Sequence, residues 1–136
     1  MTALEENVTA VFNTSEDTTD MLRVVLERAG FVVVTAFTNH LRDSRVDLDA
    51  FMRQHRPKVI VYDIAIPYEE NWRLFEHISR SPACEGVFFV VTTTNVTHVS
   101  KIAGPGHDLH EIVGKPYDLE EVVRAVKESA RRRPTR

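Results

Sequence analysis

An alternation constrains this chain more than any single residue does. Runs rich in β-branched and aromatic residues, VTAVF (8 to 12), FVVVTA (31 to 36), KVIVYD (58 to 63), VFFVVT (87 to 92) and a shorter EIVG (111 to 114), are separated by stretches with apolar residues at helical spacing. Near-continuous apolar strands are covered on both faces, and strands that alternate with helices build a parallel sheet. The expectation is an α/β fold, a three-layer doubly wound (βα)5 sheet of five parallel strands. At 136 residues the chain has room for one core and no second domain. The expected domain spans 8 to 130, between a flexible N-terminus (1 to 7) and a flexible basic tail (131 to 136).

Helices fill the gaps. Leu22, Val25, Leu26 and Ala29 share one face of the first, and Gly30 follows where a helix end calls for positive φ. The second runs from about Asp47 to His55 and stops before Pro57. The third carries Trp72, Phe75 and Ile78, with Leu74 beside them. Val96, Val99 and Ile102 mark a weaker fourth, broken by AGPG at 103 to 106. The last has a stripe of Leu119, Val122, Val123, Val126 and Ala130, with Asp118 and Glu121 spaced as a capping box.

Charged residues make up 27% of the chain and the net charge is -3, which argues against nucleic-acid binding. No apolar run approaches the roughly 20 residues of a membrane span, the first residues lack signal-peptide character, and the lone Cys84 suits a reducing compartment. A cytoplasmic protein is expected, with no membrane association. The arginines at 131 to 133 and 136 suit a helix end and basic tail. His107 and His110 have ligand-like spacing, but no Cys or acidic pattern completes a zinc set. His98 reads as a solvated loop residue, and Trp72 as core or rim. Tyr68 and Tyr117 flank the strand ends as a candidate sticky patch.

In doubly wound sheets, chemistry gathers beyond the carboxyl ends of the strands. The residues there are Asn13, Thr14, Asp63, Thr92 and Lys115. Together, VIVYDIAIP (59 to 67), VFFVVTT (87 to 93) and EIVGKPYDLEEVVRAV (111 to 126) resemble the phosphoacceptor strand, the hydroxyl-bearing strand and the Lys-Pro element of bacterial response-regulator receiver domains. The resemblance covers nearly the whole chain and implies the flavodoxin-like strand order 2-1-3-4-5. It implies Asp63 as the phosphoacceptor, Thr92 as the phosphoryl-oxygen ligand and Lys115 as the counter-charge. Physical chemistry is consistent with this, since a carboxylate facing an ammonium stays ionised and can attack phosphorus. Thr93 or Thr94 takes the place of Thr92 if the register slips. Each residue also has a plainer role: Asp63 as a turn former, Lys115 as a solvated loop lysine, the threonines as β-formers.

Departures from the receiver pattern matter as much. Receivers end the first strand in two adjacent acidic residues that serve Mg²⁺, and here those positions carry Asn13 and Thr14. With Asp63 alone, magnesium is expected to be held weakly or not at all, so no cofactor is assigned. Glu16 and Asp17 follow too late and are read as carboxylates that cap the first helix and favour its dipole. Ile112 stands where active receivers place a switching Tyr or Phe, and it has no polar tip. The segment FTNHLRDSRVD (37 to 47), joining the second strand to its helix, is longer than the family's usual connection and is read either as a cheaply tolerated loop insertion or as a contact surface.

The chain is therefore read as a stand-alone, non-enzymatic, degenerate receiver in phosphorelay signalling. Its expected partners are proteins, a histidine kinase or a signalling target, and its expected state is a monomer or weak homodimer. It would act through the surface around the fourth helix, fifth strand and last helix. The alternative is a receiver phosphorylated on Asp63. A small-ligand or flavin-binding domain on the same fold lacks the phosphate-cradling loops it would need.

Overall fold

The computed structural model describes residues 8 to 104, 111 to 114 and 119 to 131. The expected strands form where the apolar runs lie: β1 (Val8–Asn13), β2 (Val32–Phe37), β3 (Val59–Ile64), β4 (Phe88–Thr93) and β5 (Glu111–Gly114). They pair in parallel in the order β2-β1-β3-β4-β5, the flavodoxin-like order. The intervening helices are α1 (Glu16–Arg28), α2 (Thr38–Arg42), α3 (Leu48–His55), α4 (Tyr68–Ser79), α5 (Val96–Ala103) and α6 (Leu119–Arg131), with a 3₁₀ turn at Pro82–Cys84.

Strand parity sorts the core into two layers. Val11, Val59, Val61, Val90 and Val113 point to one face, where they meet Leu22 and Leu26 of α1 and Val122, Ala125 and Val126 of α6. Ala10, Phe12, Ile60, Tyr62, Phe89 and Val91 point to the other, against Phe51 and Met52 of α3, Trp72, Phe75 and Ile78 of α4 and Val99 of α5. Each fully buried Leu, Val or Phe contributes about 1.5–3 kcal/mol. Trp72 belongs to this core.

Helix ends follow local chemistry. α1 stops at Ala29, and Gly30 turns the chain with φ of 100°, where the Phe31 N–H reaches back to the Leu26 carbonyl at 3.1 Å. Asp47 caps α3 by accepting from the N–H groups of Asp49 and Ala50. α5 ends at Gly104, within the expected AGPG break.

Two expectations change. The connection at 37 to 47 is not a plain loop, because Thr38–Arg42 forms α2. Thr38 is buried, Leu41 packs on the aromatic layer, and the Arg42 guanidinium donates to Asn71 Oδ1. These tertiary contacts hold a segment that has no helical apolar pattern of its own. The cap of α1 is Ser15, whose Oγ accepts from the Thr18 N–H at 3.2 Å. Glu16 and Asp17 occupy the first turn, where their charge favours the helix dipole. The expected cap at Asp118, and His107, His110 and Tyr117, lie outside the described residues.

Candidate functional site

Three polar side chains interrupt the aliphatic layer at the carboxyl edge. Asn13 continues the Val11 face of β1, Asp63 the Val61 face of β3, and Thr92 the Val90 face of β4. Asp63 and Thr92 are direct register partners, and extending the Phe12–Tyr62 pairing by one step sets Asn13 beside Asp63 on its other flank. All three are buried, at 1% exposure for Asn13, 4% for Asp63 and 0% for Thr92. Asp63 is the one buried acidic side chain among the described residues.

The Thr92 hydroxyl donates to Asp63 Oδ1 at 2.8 Å. The other two threonines turn elsewhere. Thr93 lies on the opposite face of β4, where its hydroxyl accepts from the Asn95 N–H at 3.3 Å. Thr94 pairs its hydroxyl with that of Tyr68 at 2.7 Å. A one-residue step in a strand reverses the side chain's face, so Thr92 is the residue of the three that meets Asp63.

The first loop is organised by hydrogen bonds within itself. Asn13 Oδ1 accepts from the Ser15 N–H at 2.9 Å, and the Thr19 hydroxyl donates to the Ser15 carbonyl at 2.7 Å. Thr14, Glu16 and Asp17 face solvent. Beyond β3, Asn71 Nδ2 donates to the Ala65 carbonyl at 2.8 Å while its Oδ1 takes the Arg42 guanidinium, so α2 and α4 together fix the turn after Asp63. Burial raises the Tyr62 hydroxyl far above the ordinary phenol range, with Arg42 opposing the shift and Asp63 adding to it.

β5 reaches the site at Gly114, the partner of Thr93. A Cβ added there would stand 2.9 Å from a methyl of Val96, so the absence of a side chain lets α5 close over the strand end. Lys115 follows immediately but lies outside the described residues. Ile112 is half-buried and packs on the aromatic layer.

One group escaped the sequence reading. Tyr68 and Glu69 open α4, and His98 lies in the first turn of α5; His98 Nε2 is 2.9 Å from Glu69 Oε2, and its ring lies 5.4 Å from that of Tyr68. His98 is thus tied to a neighbouring helix and is not a free loop histidine. Its partner stands 29 positions away in the chain, beyond the reach of any local pattern. Among the described residues no group of three or more His, Cys, Asp or Glu side chains is placed to hold a metal ion, and no helix is long and apolar enough to cross a membrane.

No family model matches the chain. An uncharacterized 14.6 kDa protein from the sodA1 3′ region of Leptolyngbya boryana is 24% identical over 118 residues, covering 87% of this chain and 86% of that protein. Among solved structures, the chain is similar to a signal receiver domain of two-component signal transduction from Clostridium thermocellum. The TM-score is 0.72 at 13% identity, over 93% of this chain and 98% of that one. The chemotaxis response regulator CheY4 of Vibrio cholerae superposes with a TM-score of 0.69 at 16% identity, over 90% and 97% of the two chains. The order of the strands, the helices on both faces and these superpositions agree: the chain has the fold of a response-regulator receiver domain.

Proposed function

We propose that this chain is a receiver-type module of two-component signalling that works chiefly by protein contact, with magnesium-dependent phosphorylation of Asp63 slow or absent. The observation that carries the reading is the first loop. Where a magnesium site would need carboxylates, β1 ends in Asn13, whose carbonyl oxygen already accepts a backbone N–H, followed by the exposed Thr14. A hard divalent cation takes about six oxygens and draws its affinity from anionic ones. The described residues offer Asp63 as the one buried carboxylate, and the Thr92 hydroxyl bonds to it directly. This donor set does not fit magnesium. Glu16 and Asp17, exposed in the first turn of α1, are assigned to the helix dipole.

In this reading the contact surface is that of α5, β5 and α6. Ile112 packs against the core and offers no polar tip to expose, so the surface would be presented without an aromatic switch. The partner is a histidine kinase or a downstream signalling protein, the compartment is the cytoplasm, and the chain catalyses no turnover of its own.

A second reading rests on the bond between Thr92 and Asp63. A buried carboxylate with a hydroxyl donor 2.8 Å away has the elements of a phosphoacceptor. Phosphorylation would join an Asp63 carboxylate oxygen to phosphorus while the bond from phosphorus to the donor breaks and the donor leaves with its electron pair. Thr92 and Lys115 would then stabilise the transferred oxygens. Incubation with acetyl phosphate and Mg²⁺, followed by intact mass measurement, separates the two. Unchanged mass supports the contact module; an added phosphoryl group that disappears in Asp63→Asn establishes the phosphoacceptor.

A further inference from the structure

Every residue from Thr92 to Val96, and His98 beyond them, is engaged with a partner. Thr92 donates to Asp63, Thr93 accepts from the Asn95 N–H, Thr94 pairs with Tyr68, Asn95 Oδ1 accepts from the His98 N–H at 3.0 Å, and Val96 lies over Gly114. The outermost fastening is His98 to Glu69. Two cross-ties, Tyr68–Thr94 and Glu69–His98, thus join the first turn of α4 to the junction between β4 and α5. The rings of Tyr68 and His98 pack together between them.

From this arrangement we infer that Tyr68, Glu69, Thr94 and His98 form a protonation-dependent latch that holds the β4–α5 junction, and with it the segment presenting Thr92, against α4. A carboxylate can only accept, so Nε2 of His98 donates the proton in this bond. The imidazolium makes the bond charge-assisted, and such bonds are roughly twice as strong as neutral ones. Glu69 is held below the usual glutamate range by the backbone N–H it accepts first, then by His98, with Arg73 adding to the effect. Its carboxylate therefore stays charged and available to an imidazolium partner as the solution is acidified. The latch is tightest while the ring is protonated and Glu69 ionised, and it loosens when either loses its charge.

The charged neighbours are few. Among the described residues, Glu69 and Arg73 approach from α4, with Glu70 beside them in sequence, and Lys101 sits one turn beyond His98 on α5. Arg73 and Lys101 bring positive charge to this group, and the Glu69 carboxylate lies 2.9 Å from the ring. Both latch partners are about half exposed, so the effect belongs to local opening and not to global unfolding. The latch does not depend on whether Asp63 accepts a phosphoryl group.

Amide hydrogen exchange of residues 94 to 99, followed from pH 5.5 to 8 and corrected for intrinsic rates, tests it. The wild-type chain is expected to gain about two- to fivefold protection on acidification, the factor corresponding to an exposed charged pair. Amides of β2 serve as the reference. Glu69→Gln and His98→Gln should make the profile flat, and Tyr68→Phe should lower protection by a similar factor at every pH while keeping the slope. A wild-type profile without pH dependence, or a dependence that persists in Glu69→Gln, would overturn the latch.

Discussion

Among the described residues, the buried cluster on the face covered by α1 and α6 is made of Val, Leu and Ala with a single Phe31, whereas the face covered by α3, α4 and α5 stacks Phe12, Phe51, Tyr62, Trp72, Phe75 and Phe89. The aromatic layer is tied ring to ring. Tyr62 meets Phe75 at 4.9 Å, Trp72 meets Phe75 at 4.9 Å, and Phe75 meets Phe89 at 5.2 Å. Among the described residues the aliphatic layer has no such network, and it is the one that gives way to Asn13, Asp63 and Thr92 at its carboxyl edge. Stability and chemistry are therefore divided by strand parity: large rings anchor one face, and the polar crevice is cut into the other.

That division can be broken at graded cost. Phe75→Ala removes the hub of the ring network and is expected to destabilise by about 4 kcal/mol, read from the urea midpoint at unchanged slope. Leu26→Ala, fully buried in the aliphatic layer, should cost less, about 3 kcal/mol, because smaller neighbours relax into the gap more readily. If the two losses are equal, the rings hold no special place. Thr92→Val keeps the shape but leaves Asp63 Oδ1 without its hydroxyl donor, for about 1–2 kcal/mol. Gly114→Ala sets a methyl against Val96 and should cost about 1 kcal/mol, less if Val96 turns aside.

The aromatic layer also has a pH signature. Burial pushes the Cys84 thiol, ordinarily near 9, up to about 11, with Asp49 adding to the shift. A folded value above the unfolded one means that this contribution to stability is intact below pH 9 and is lost as pH rises toward 11. Urea midpoints of wild type and Cys84→Ala should therefore converge across that window. Parallel midpoints would mean that the thiol does not sense its burial.

The strands were legible because a residue run apolar on both faces has few other uses, and the site positions followed from strand ends. Asp63 and Thr92 were both legible as strand-end residues and were joined through the resemblance to receivers, but the choice among three threonines needed the register that the pairing of β3 with β4 supplies. α2 was not legible: TNHLR has no apolar period, and its helix is held by Arg42 on Asn71 and by the burial of Thr38. Nor was the true cap of α1. Ser15, Glu16 and Asp17 are all acceptable near a helix start, and only the bond between the Thr18 N–H and Ser15 Oγ distinguishes them. The Glu69–His98 tie joins residues on different helices, and such pairs leave no mark in a single sequence.

The central proposal is electrostatic: with Asn13 ending β1 and Thr14 following it, the crevice around Asp63 is proposed not to retain magnesium. Calorimetric titration of Mg²⁺ into the wild-type chain and into an Asn13→Asp, Thr14→Asp double variant tests it most directly. The account predicts no saturable binding in the wild type and a single site in the variant, lost again when Asp63→Asn is added. Saturable binding by the wild-type chain that depends on Asp63 would contradict it.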